Sequence, residues 1–457
     1  MHPPNLLLVF ADQMRGHDMA CAGNDQVSTP NLDRMAGEGV NFANAIANNP
    51  VCTPSRGSLL TGLYPLSHRA VTNDLPIRTD VPTLGTVLRD AGYRTGYIGK
   101  WHLGGVPRDR FIPPGPERLG FDDFWAVWNC HHQYFDGKYH LDTNEVQHFE
   151  GYEPDGQTDL ATQFIESHRD EPFALVVSFG PPHAPYDQVP ERYLSMYDAD
   201  EIRLRPNVPA DSAEDRDRWK LTMARYYAAI TALDECMGRM LATLERLGLD
   251  EDTLVVFTSD HGDMLGSHER RKKEQPWEEA IRVPLLMRCP RLLASGRECD
   301  AVTGITDLTP TMLGLLGANV PESMEGLDLA PLVRGEEAEV PKSVPIGIPI
   351  PVDQAVDQAV DEWRGVRTDR YTYARWSDGS GWVLYDNRED PFQQTNLIDD
   401  PDAREVRAEL EAELQRWLER TNDPFPPWPE LVRELDLVET WNARERHMHP
   451  NSPNLVV

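Results

Sequence analysis

Four short apolar segments constrain the fold of this chain more than any other feature of its sequence. They cover residues 5–11, 94–99, 173–179 and 253–258, and stretches with helical apolar spacing separate them. Strands that alternate with helices favour a parallel sheet with helices packed on both faces. The sequence therefore predicts an α/β fold in which a large, mostly parallel or mixed sheet is sandwiched by helices.

Helices are predicted between these strands from start and stop signals and from apolar spacing. Residues 29–31 open a helix that the glycines at 37 and 39 close, and Pro82 starts another. Residues 158–169 and 215–248 have the spacing of amphipathic helices.

The last part of the chain changes in character. Residues 333–362 are rich in proline and acidic residues, which indicates a domain boundary or a surface excursion. Residues 363–376 and 381–397 then alternate like antiparallel strands around an Asp-Gly turn, and residues 402–419 have helical spacing. We therefore expect a large α/β domain at residues 1–335, followed by a smaller C-terminal α+β subdomain with an antiparallel sheet and a tail at residues 336–457.

Length and charge limit the function. A chain of 457 residues can bury a large core, and its formal net charge of −31 repels nucleic-acid phosphates and anionic lipid. We expect no nucleic-acid partner and no membrane partner. Residues 5–11 lack the basic flank of a signal peptide, and no segment reaches the roughly 18 apolar residues of a membrane span. The expected location is the cytoplasm, or the periplasm or extracellular space if a leader was removed.

Polar side chains follow two of the predicted strands. Asp12 and Gln13 come directly after the first strand, and Asp260, His261 and Asp263 follow the fourth. Ligands of doubly wound sheets bind at the carboxyl ends of strands, although a single strand-end aspartate can also be a helix cap. The two clusters together favour a divalent metal. Carboxylate and amide oxygens suit calcium, and the histidine nitrogen also admits manganese or another transition ion.

Cys52 stands out among six dispersed cysteines that form no C-x-x-C pair, a pattern that argues against a disulfide framework or a zinc knuckle. It lies in the stretch NPVCTPSRGSLLTG, just before a helical pattern, where free backbone N–H groups favour an anion. Arg56 lies one turn further on and can present a planar fork to an oxyanion. The alternative is a buried structural thiol beside an ordinary surface arginine.

Further basic groups follow the other strands or stand in short motifs. They are Lys100 and His102 in YIGKWHLGG, His183 in SFGPPHAPY, and Lys273 in RRKKEQPWEEA. Each alone has an ordinary alternative, since loop histidines are commonly structural and a lysine in a charge run is commonly solvated. A metal, a nucleophile and several cations together suit the hydrolysis of an ester of a tetrahedral anion, because negative charge accumulates on its oxygens.

These segments resemble a known family. The run C-T-P-S-R at residues 52–56 matches the C-x-P-S-R signature of type I sulfatases, members of the alkaline phosphatase superfamily, and residues 96–104 resemble the second signature of that family. Residues 29–47, 181–186 and 259–268 also look like family segments, in the same order along the chain. The resemblance implies an alkaline phosphatase-like fold and a sulfuric ester hydrolase.

The resemblance also implies specific chemistry for Cys52. In such enzymes a formylglycine-generating maturation enzyme oxidises this cysteine to formylglycine, an aldehyde that hydrates to a geminal diol. One hydroxyl attacks sulfur to form a covalent sulfate ester, and loss of the second hydroxyl's proton expels sulfate and restores the aldehyde.

By the same resemblance, the remaining site residues receive roles. Asp12, Gln13, Asp260 and His261 would ligate the metal together with the modified Cys52, while Arg56, Lys100 and His102 would hold and activate the diol. His183 and Lys273 would contact the sulfate and assist the leaving oxygen. Asn73 is a candidate substrate contact.

Two positions depart from the common family pattern. Many sulfatases carry two successive aspartates where this chain has Asp12 and Gln13, and many have asparagine where it has His261. These choices look like the branch that includes phosphonate monoester hydrolases and some choline and sugar sulfatases. Hydrolysis of a phosphonate monoester or phosphodiester on the same scaffold is therefore the alternative function, and noncatalytic binding of a sulfated glycan is a third hypothesis.

The substrate class is inferred from residues 124–149, which place aromatic residues and histidines between two of the family segments. Such a composition suits stacking on a sugar or aryl ring, although an ordinary packed insert accounts for it equally well. We expect a sulfated carbohydrate as the substrate, with a small aryl or alkyl sulfate as the alternative.

Overall fold

A computed structural model describes residues 3–209, 212–352, 354–451 and 453–457. Within these residues ten strands form one mixed sheet, in the order β11-β2-β10-β9-β1-β8-β4-β5-β6-β7. The strands of this sheet are β1 (Asn5–Asp12), β2 (Val40–Phe42), β4 (Arg94–Lys100), β5 (Phe124–Trp128), β6 (Lys138–His140), β7 (Val146–His148), β8 (Phe173–Pro182), β9 (Thr253–Ser259), β10 (Leu285–Arg288) and β11 (Arg297–Cys299). A short pair, β3 (Ala45–Ile46) and β12 (Thr303–Gly304), lies apart from it.

The centre of the sheet is parallel and the flanks are mixed. Strands β9, β1, β8, β4 and β5 run parallel to one another, whereas β10 pairs antiparallel with both β9 and β2, and β6 pairs antiparallel with β5. The four strands predicted from apolar runs are all in this parallel centre. The predicted fold class is confirmed.

The first strand shows why these runs are continuously apolar. Its eight residues are all buried, and successive side chains enter two different cores: Leu6 and Leu8 pack on one face of the sheet, and Leu7 and Val9 on the other. A strand that is covered on both faces cannot alternate with polar residues.

Helices cover both faces of the sheet. Together with those of the C-terminal part, the helices of the described residues are α1 (Pro30–Glu38), α2 (Cys52–Thr61), α3 (Pro65–His68), α4 (Leu84–Asp90), α5 (Glu153–Ser167), α6 (Glu191–Leu194), α7 (Ala213–Leu247), α8 (Glu278–Ile281), α9 (Leu308–Leu316), α10 (Ala330–Arg334), α11 (Gln354–Asp357), α12 (Arg404–Arg420), α13 (Trp428–Glu434) and α14 (Val438–Met448). Among the described residues, no helix combines the length and the apolar character that crossing a bilayer requires.

Two predicted helix starts are shifted in the structure. Pro82 does not start α4, because Thr83 caps that helix and accepts a hydrogen bond from the backbone N–H of Thr86. Cys52 does not precede α2 but is its first residue, so its side chain projects from the first turn itself.

A second, smaller sheet follows in the C-terminal part of the chain. Its antiparallel strands are β13 (Ser343–Ile348), β14 (Trp363–Thr368), β15 (Tyr371–Trp376) and β16 (Gly381–Asp386), in that order. Helix α12 packs against it, and α13 and α14 extend beyond. The small antiparallel sheet is confirmed, while the boundary between residues 335 and 336 stays a prediction.

Two details of the small sheet correct the sequence-based expectation. Residues 343–348, expected in a boundary or surface excursion, form the buried edge strand β13. A sheet edge tolerates proline because one side of the strand has no partner, so Pro345 does not break it. Residues 387–397, expected to continue the last strand, form turns instead.

Candidate active site

Four strands of the parallel centre deliver their final residues to one edge of the large sheet. Strand β1 ends with Asp12, β9 leads into Asp260, β4 ends with Lys100, and β8 leads into His183. Because the strands run parallel, their carboxyl ends lie side by side. The structure thus brings together side chains that are far apart in sequence.

A group of four potential metal ligands lies at this edge. One ligand atom each of Asp12, Cys52, Asp260 and His261 lies within 4.8 Å of the other three, and all four residues are buried. His261 Nε2 lies 3.3 Å from the Cys52 sulfur, 3.8 Å from Asp12 Oδ1 and 3.6 Å from Asp260 Oδ1. Two carboxylates, an imidazole and a sulfur that converge on one point fit a divalent cation.

Gln13, the fifth predicted ligand, lies at the same place but is turned toward other partners. Its Oε1 accepts a hydrogen bond from Lys273 Nζ at 3.0 Å, and its Nε2 donates to Asp263. Its backbone has a φ of 71°, and its N–H donates to Asp260 Oδ1 at 3.0 Å. Its role as a ligand stays a prediction.

Arg56 is fully buried and joins the two metal-type carboxylates. Its Nη2 lies 2.9 Å from Asp12 Oδ2, and its Nε lies 3.0 Å from Asp260 Oδ2. Its Nη1 donates to the Lys100 carbonyl at 3.0 Å and to Ser178 Oγ at 2.7 Å. All of its donor atoms are therefore used to fix this edge of the sheet, and the surface arginine considered above is ruled out.

Lys100 supplies a second buried cation. Its Nζ lies 2.5 Å from Asp12 Oδ2 and 4.0 Å from the Cys52 sulfur. Burial on its own raises the pKa of the Asp12 carboxyl, but Lys100, His183, Arg56 and Lys273 outweigh it and hold this pKa well below 3.8. Asp12 is therefore ionised.

Cys52 is buried at the start of α2, next to Lys273. The distance from Lys273 Nζ to the sulfur is 2.8 Å, and both side chains are 1% exposed. Burial and Asp12 raise the pKa of the thiol, but Lys100, Lys273 and His261 outweigh them and lower it well below 9.0. The solvated position considered for Lys273 is thus wrong: the lysine is buried and faces the Cys52 sulfur.

His102 is oriented by a carboxylate that the sequence analysis did not single out. Its Nε2 lies 3.1 Å from Asp74 Oδ1, and Arg108 binds both oxygens of Asp74 at 2.7 and 2.6 Å. His102 also reaches the nucleophile segment through its backbone, because its carbonyl accepts a hydrogen bond from Thr53 Oγ1 at 2.8 Å. The imidazole and the nucleophile segment are thereby fixed relative to each other.

Asn73 is buried and holds the backbone next to Cys52. Its Oδ1 accepts a hydrogen bond from the backbone N–H of Thr53 at 3.0 Å, and its carbonyl accepts one from Arg444 Nε at 2.9 Å. The substrate contact assigned to Asn73 stays a prediction. Arg444 belongs to α14 near the end of the chain, and nothing in its sequence context indicated a place beside the site.

His183 lies at the mouth of the site with its ring held on two sides. Its Nδ1 lies 2.7 Å from the Ala184 carbonyl and so carries the proton, and its ring stacks on His132 at 4.1 Å with an angle of 4° between the planes. Burial, followed by His132 and Lys273, lowers the pKa of His183 well below 6.5. His132 belongs to the aromatic segment at residues 124–149.

Other rings of that segment are buried as well. Trp125 packs in the core against Tyr97 and Trp101, and Trp128 stacks on the buried His140. The interpretation as a packed insert holds for Trp125. Ring stacking with a substrate stays a prediction for the remainder.

Comparison with known proteins agrees with the geometry. The sulfatase family model matches residues 4–318, and the model of the N-sulphoglucosamine sulphohydrolase C-terminal region matches residues 266–420. An ulvan-active sulfatase of Formosa agariphila is 37% identical over 92% of this chain and 82% of its own length. An endo-4-O-sulfatase of Bacteroides thetaiotaomicron is 30% identical over 92% of this chain and 93% of its own.

Solved structures show the same fold. A yidJ protein of Bacteroides fragilis that is assigned as a sulfatase superposes with a TM-score of 0.84 at 33% identity, covering 93% of this chain and 97% of its own. A phosphonate monoester hydrolase of Agrobacterium radiobacter superposes with a TM-score of 0.74 at 25% identity, covering 92% and 96%. Both span nearly the whole of the large and small sheets.

Proposed function

Since this chain belongs to the sulfatase family and is a sulfuric ester hydrolase, we propose that it removes sulfate from a sulfated carbohydrate, with Cys52 converted to formylglycine as the nucleophile. The observation that carries this proposal is the placement of Cys52. Its buried sulfur lies 2.8 Å from Lys273 Nζ and belongs to the metal-type group of Asp12, Asp260 and His261. One relative is named an ulvan-active sulfatase and the other an endo-4-O-sulfatase, and both names support a glycan substrate.

The modification requires a partner. We propose that a formylglycine-generating maturation enzyme recognises the C-T-P-S-R run and oxidises Cys52. The hydrate of the resulting aldehyde would supply a hydroxyl nucleophile where the sulfur now stands.

Asp12, Asp260, His261 and the modified residue 52 would hold a divalent metal, and Gln13, whose N–H donates to Asp260, would join them. When bound, such an ion withdraws charge from the sulfate oxygens and from the nucleophile. Oxygen ligands favour calcium, and the imidazole also admits manganese. The charge of the ion would add to that of Arg56 and Lys100, which pair directly with these buried carboxylates.

The cations of the chain carry the remaining work. Lys273 points its ammonium at the nucleophile position and would hold a sulfate oxygen there. Lys100, whose Nζ lies 4.0 Å from the sulfur, and His102, whose carbonyl holds Thr53, would orient the hydrate. His183 keeps its proton on Nδ1, so Nε2 is the atom that would take up a proton and pass it to the leaving oxygen.

The test uses protein produced together with a maturation enzyme. We expect the tryptic peptide that contains Cys52 to react with a hydrazide, and sulfate to be released from at least one defined sulfated oligosaccharide. C52A protein is the control and should give neither signal. Active enzyme that carries only unmodified cysteine would contradict the proposal.

Phosphonate hydrolysis is tested in the same preparation, because the Agrobacterium radiobacter neighbour makes it the second candidate. Matched aryl sulfate and aryl phosphonate esters are compared by kcat/KM. We expect a higher kcat/KM for the sulfate ester. A higher kcat/KM for the phosphonate ester would instead support phosphonate hydrolysis as the function.

A further inference from the structure

A cavity of about 360 Å³ opens directly beside the catalytic cluster. Its walls come from four parts of the chain: the loop after β8, the start of α7, the loop after β9, and α11. Two of its lining residues, Ala184 and Lys272, are the chain neighbours of His183 and Lys273. The cavity therefore lies on the side of the site where the proposed function puts the leaving group, and its volume is in the range of small-molecule sites.

The cavity carries an excess of basic side chains. Arg218, Arg271 and Lys272 line it, against the carboxylates Asp263 and Asp357. This balance is the reverse of that of the whole chain, whose formal net charge is −31. A local basic surface on such an acidic protein attracts an anion that the rest of the molecule repels.

Two of these cations are available to a ligand. Arg218 pairs with Asp215 at 2.9 Å, whereas Arg271 and Lys272 form no ion pair within the residues that the structure describes. Both are exposed at the rim. The carboxylate of Asp263 is engaged elsewhere, because Tyr186 Oη donates to it at 2.5 Å and Gln13 Nε2 also donates to it.

The loop that carries the two cations is held in place. Gln358 bonds both backbone groups of Arg271: its Oε1 accepts from the N–H at 2.9 Å and its Nε2 donates to the carbonyl at 3.0 Å. The Lys272 carbonyl accepts from the N–H of Met264 at 2.6 Å.

Trp219 packs onto the same loop at Gly266. Any side chain at Gly266 would place its Cβ 2.6 Å from the indole ring. The backbone that carries the two cations is thus positioned before a ligand binds, which lowers the cost of binding.

We propose that this cavity is a subsite for a second anionic group, which the substrate carries on the leaving-group side of the scissile sulfate. The proposal rests on the proposed function and narrows it to acidic saccharides. A uronic acid carboxylate and a second sulfate share the required chemistry, since each presents oxygens with a single negative charge to Arg271 and Lys272. Binding energy gained in this cavity, away from the scissile sulfate, can still increase the rate at which the sulfate ester is hydrolysed.

The test compares two disaccharides with the same scissile sulfate, one with a free uronic acid and one with that acid reduced to the alcohol. A third disaccharide carries a second sulfate in place of the carboxylate. We expect wild-type enzyme to prefer the two acidic substrates at least tenfold in kcat/KM, and R271M/K272M enzyme to lose this preference. Turnover of the neutral disaccharide by the variant should stay within twofold of wild type. The acidic disaccharide whose kcat/KM falls more in R271M/K272M enzyme identifies the anion that the cavity prefers.

The matched control is R169M/R246M, which removes the same charge from two equally exposed arginines. Arg169 precedes β8 at the opposite edge of the sheet, and Arg246 lies about 40 Å from Arg218 along α7 at 1.5 Å per residue. This variant should keep the preference for acidic substrates. An equal loss in both double variants, an equal loss on acidic and neutral substrates, or no loss in R271M/K272M would each overturn the proposal.

A binding measurement separates this proposal from the proposed function. Titration calorimetry of C52A protein with the acidic and the neutral disaccharide should show the same dependence on Arg271 and Lys272. Charge-dependent binding without hydrolysis by converted enzyme would refute the proposed function and leave the subsite standing. Hydrolysis by converted enzyme without charge-dependent binding would refute the subsite and leave the proposed function standing.

Discussion

Replacing Arg444 tests whether the end of the chain supports the nucleophile. Arg444 is fully buried in α14, donates from Nε to the Asn73 carbonyl at 2.9 Å, and pairs through Nη1 with Glu445. Arg444→Met removes the guanidinium but keeps most of the stem, so the Asn73 carbonyl and the Glu445 carboxylate lose a buried partner. Breaking a buried ion pair in this way costs about 3–5 kcal/mol of unfolding free energy.

The same substitution should reduce activity in protein that remains folded. Asn73 holds the Thr53 N–H at 3.0 Å, and the next residue, Asp74, holds His102 at 3.1 Å. A displaced Asn73 therefore moves both the Cys52 segment and the His102 imidazole. Because small misplacements of reacting groups slow catalysis strongly, we expect kcat to fall about 10- to 100-fold. KM should change less than kcat, because the substitution does not touch His183 or Lys273, the residues proposed to contact the sulfate.

The assay is urea unfolding together with steady-state kinetics on converted enzyme at a temperature where every variant is folded. Trp441→Phe is the control, because Trp441 is buried in the same helix against Val71 and Leu75 yet gives no polar contact to Asn73. It should lose stability and retain kcat. Arg444→Lys, which keeps the charge, should recover part of both quantities. If both Arg444→Met and Trp441→Phe reduce kcat in proportion to the unfolding free energy that each loses, a specific role of Arg444 in positioning Asn73 is refuted.

Three further predictions concern stability and geometry. Burial lowers the pKa of His68 to about 3, so the folded state binds a proton less tightly than the unfolded state: stability is complete above pH 6.5 and falls as the pH drops from 6.5 toward 3, by at most about 5 kcal/mol. His68→Gln should flatten this part of the urea-unfolding profile, and an unchanged slope would contradict the assignment. Asp74→Asn, which keeps the shape but removes the charge opposite His102, should lower kcat about 10- to 100-fold in folded protein and should also lower the melting temperature, because Arg108 loses its carboxylate partner; unaltered kcat would exclude Asp74 as a positioning residue. Gly99→Ala should cost about 3 kcal/mol or more in thermal or urea unfolding, because Gly99 has a φ of 103° and an added Cβ would lie 2.1 Å from the Ser178 carbonyl oxygen; a cost below about 1 kcal/mol would show that the two strands separate easily.

The centre of the fold could be predicted from the sequence because its signal is local. Strand β1 is buried on both faces, so its apolar run is continuous and ends abruptly at Asp12. The edge strands carry weaker signals. Strand β13 contains Pro345 and Gly347 and was misread, because a sheet edge accepts residues that a central strand rejects.

The site divides in the same way. Asp12 and Asp260 were predicted together because parallel strands end at one edge, and this rule needs no knowledge of tertiary contacts. Asp74 and Arg444 were missed because they act through contacts between distant loops and helices. Lys273 shows the intermediate case: the family resemblance assigned it to the sulfate, whereas its charged neighbours in sequence indicated a solvated surface.

The contact between α14 and Asn73 has a consequence for the order in which this protein is made. The loop at residues 71–75 rests on an apolar cluster that includes Leu431, Leu437 and Trp441. A ribosome completes those residues long after Cys52 has emerged. Until then the segment that carries the thiol lacks its last support, and the finished fold leaves only 1% of Cys52 exposed. The maturation enzyme proposed above would therefore gain access to that thiol during synthesis.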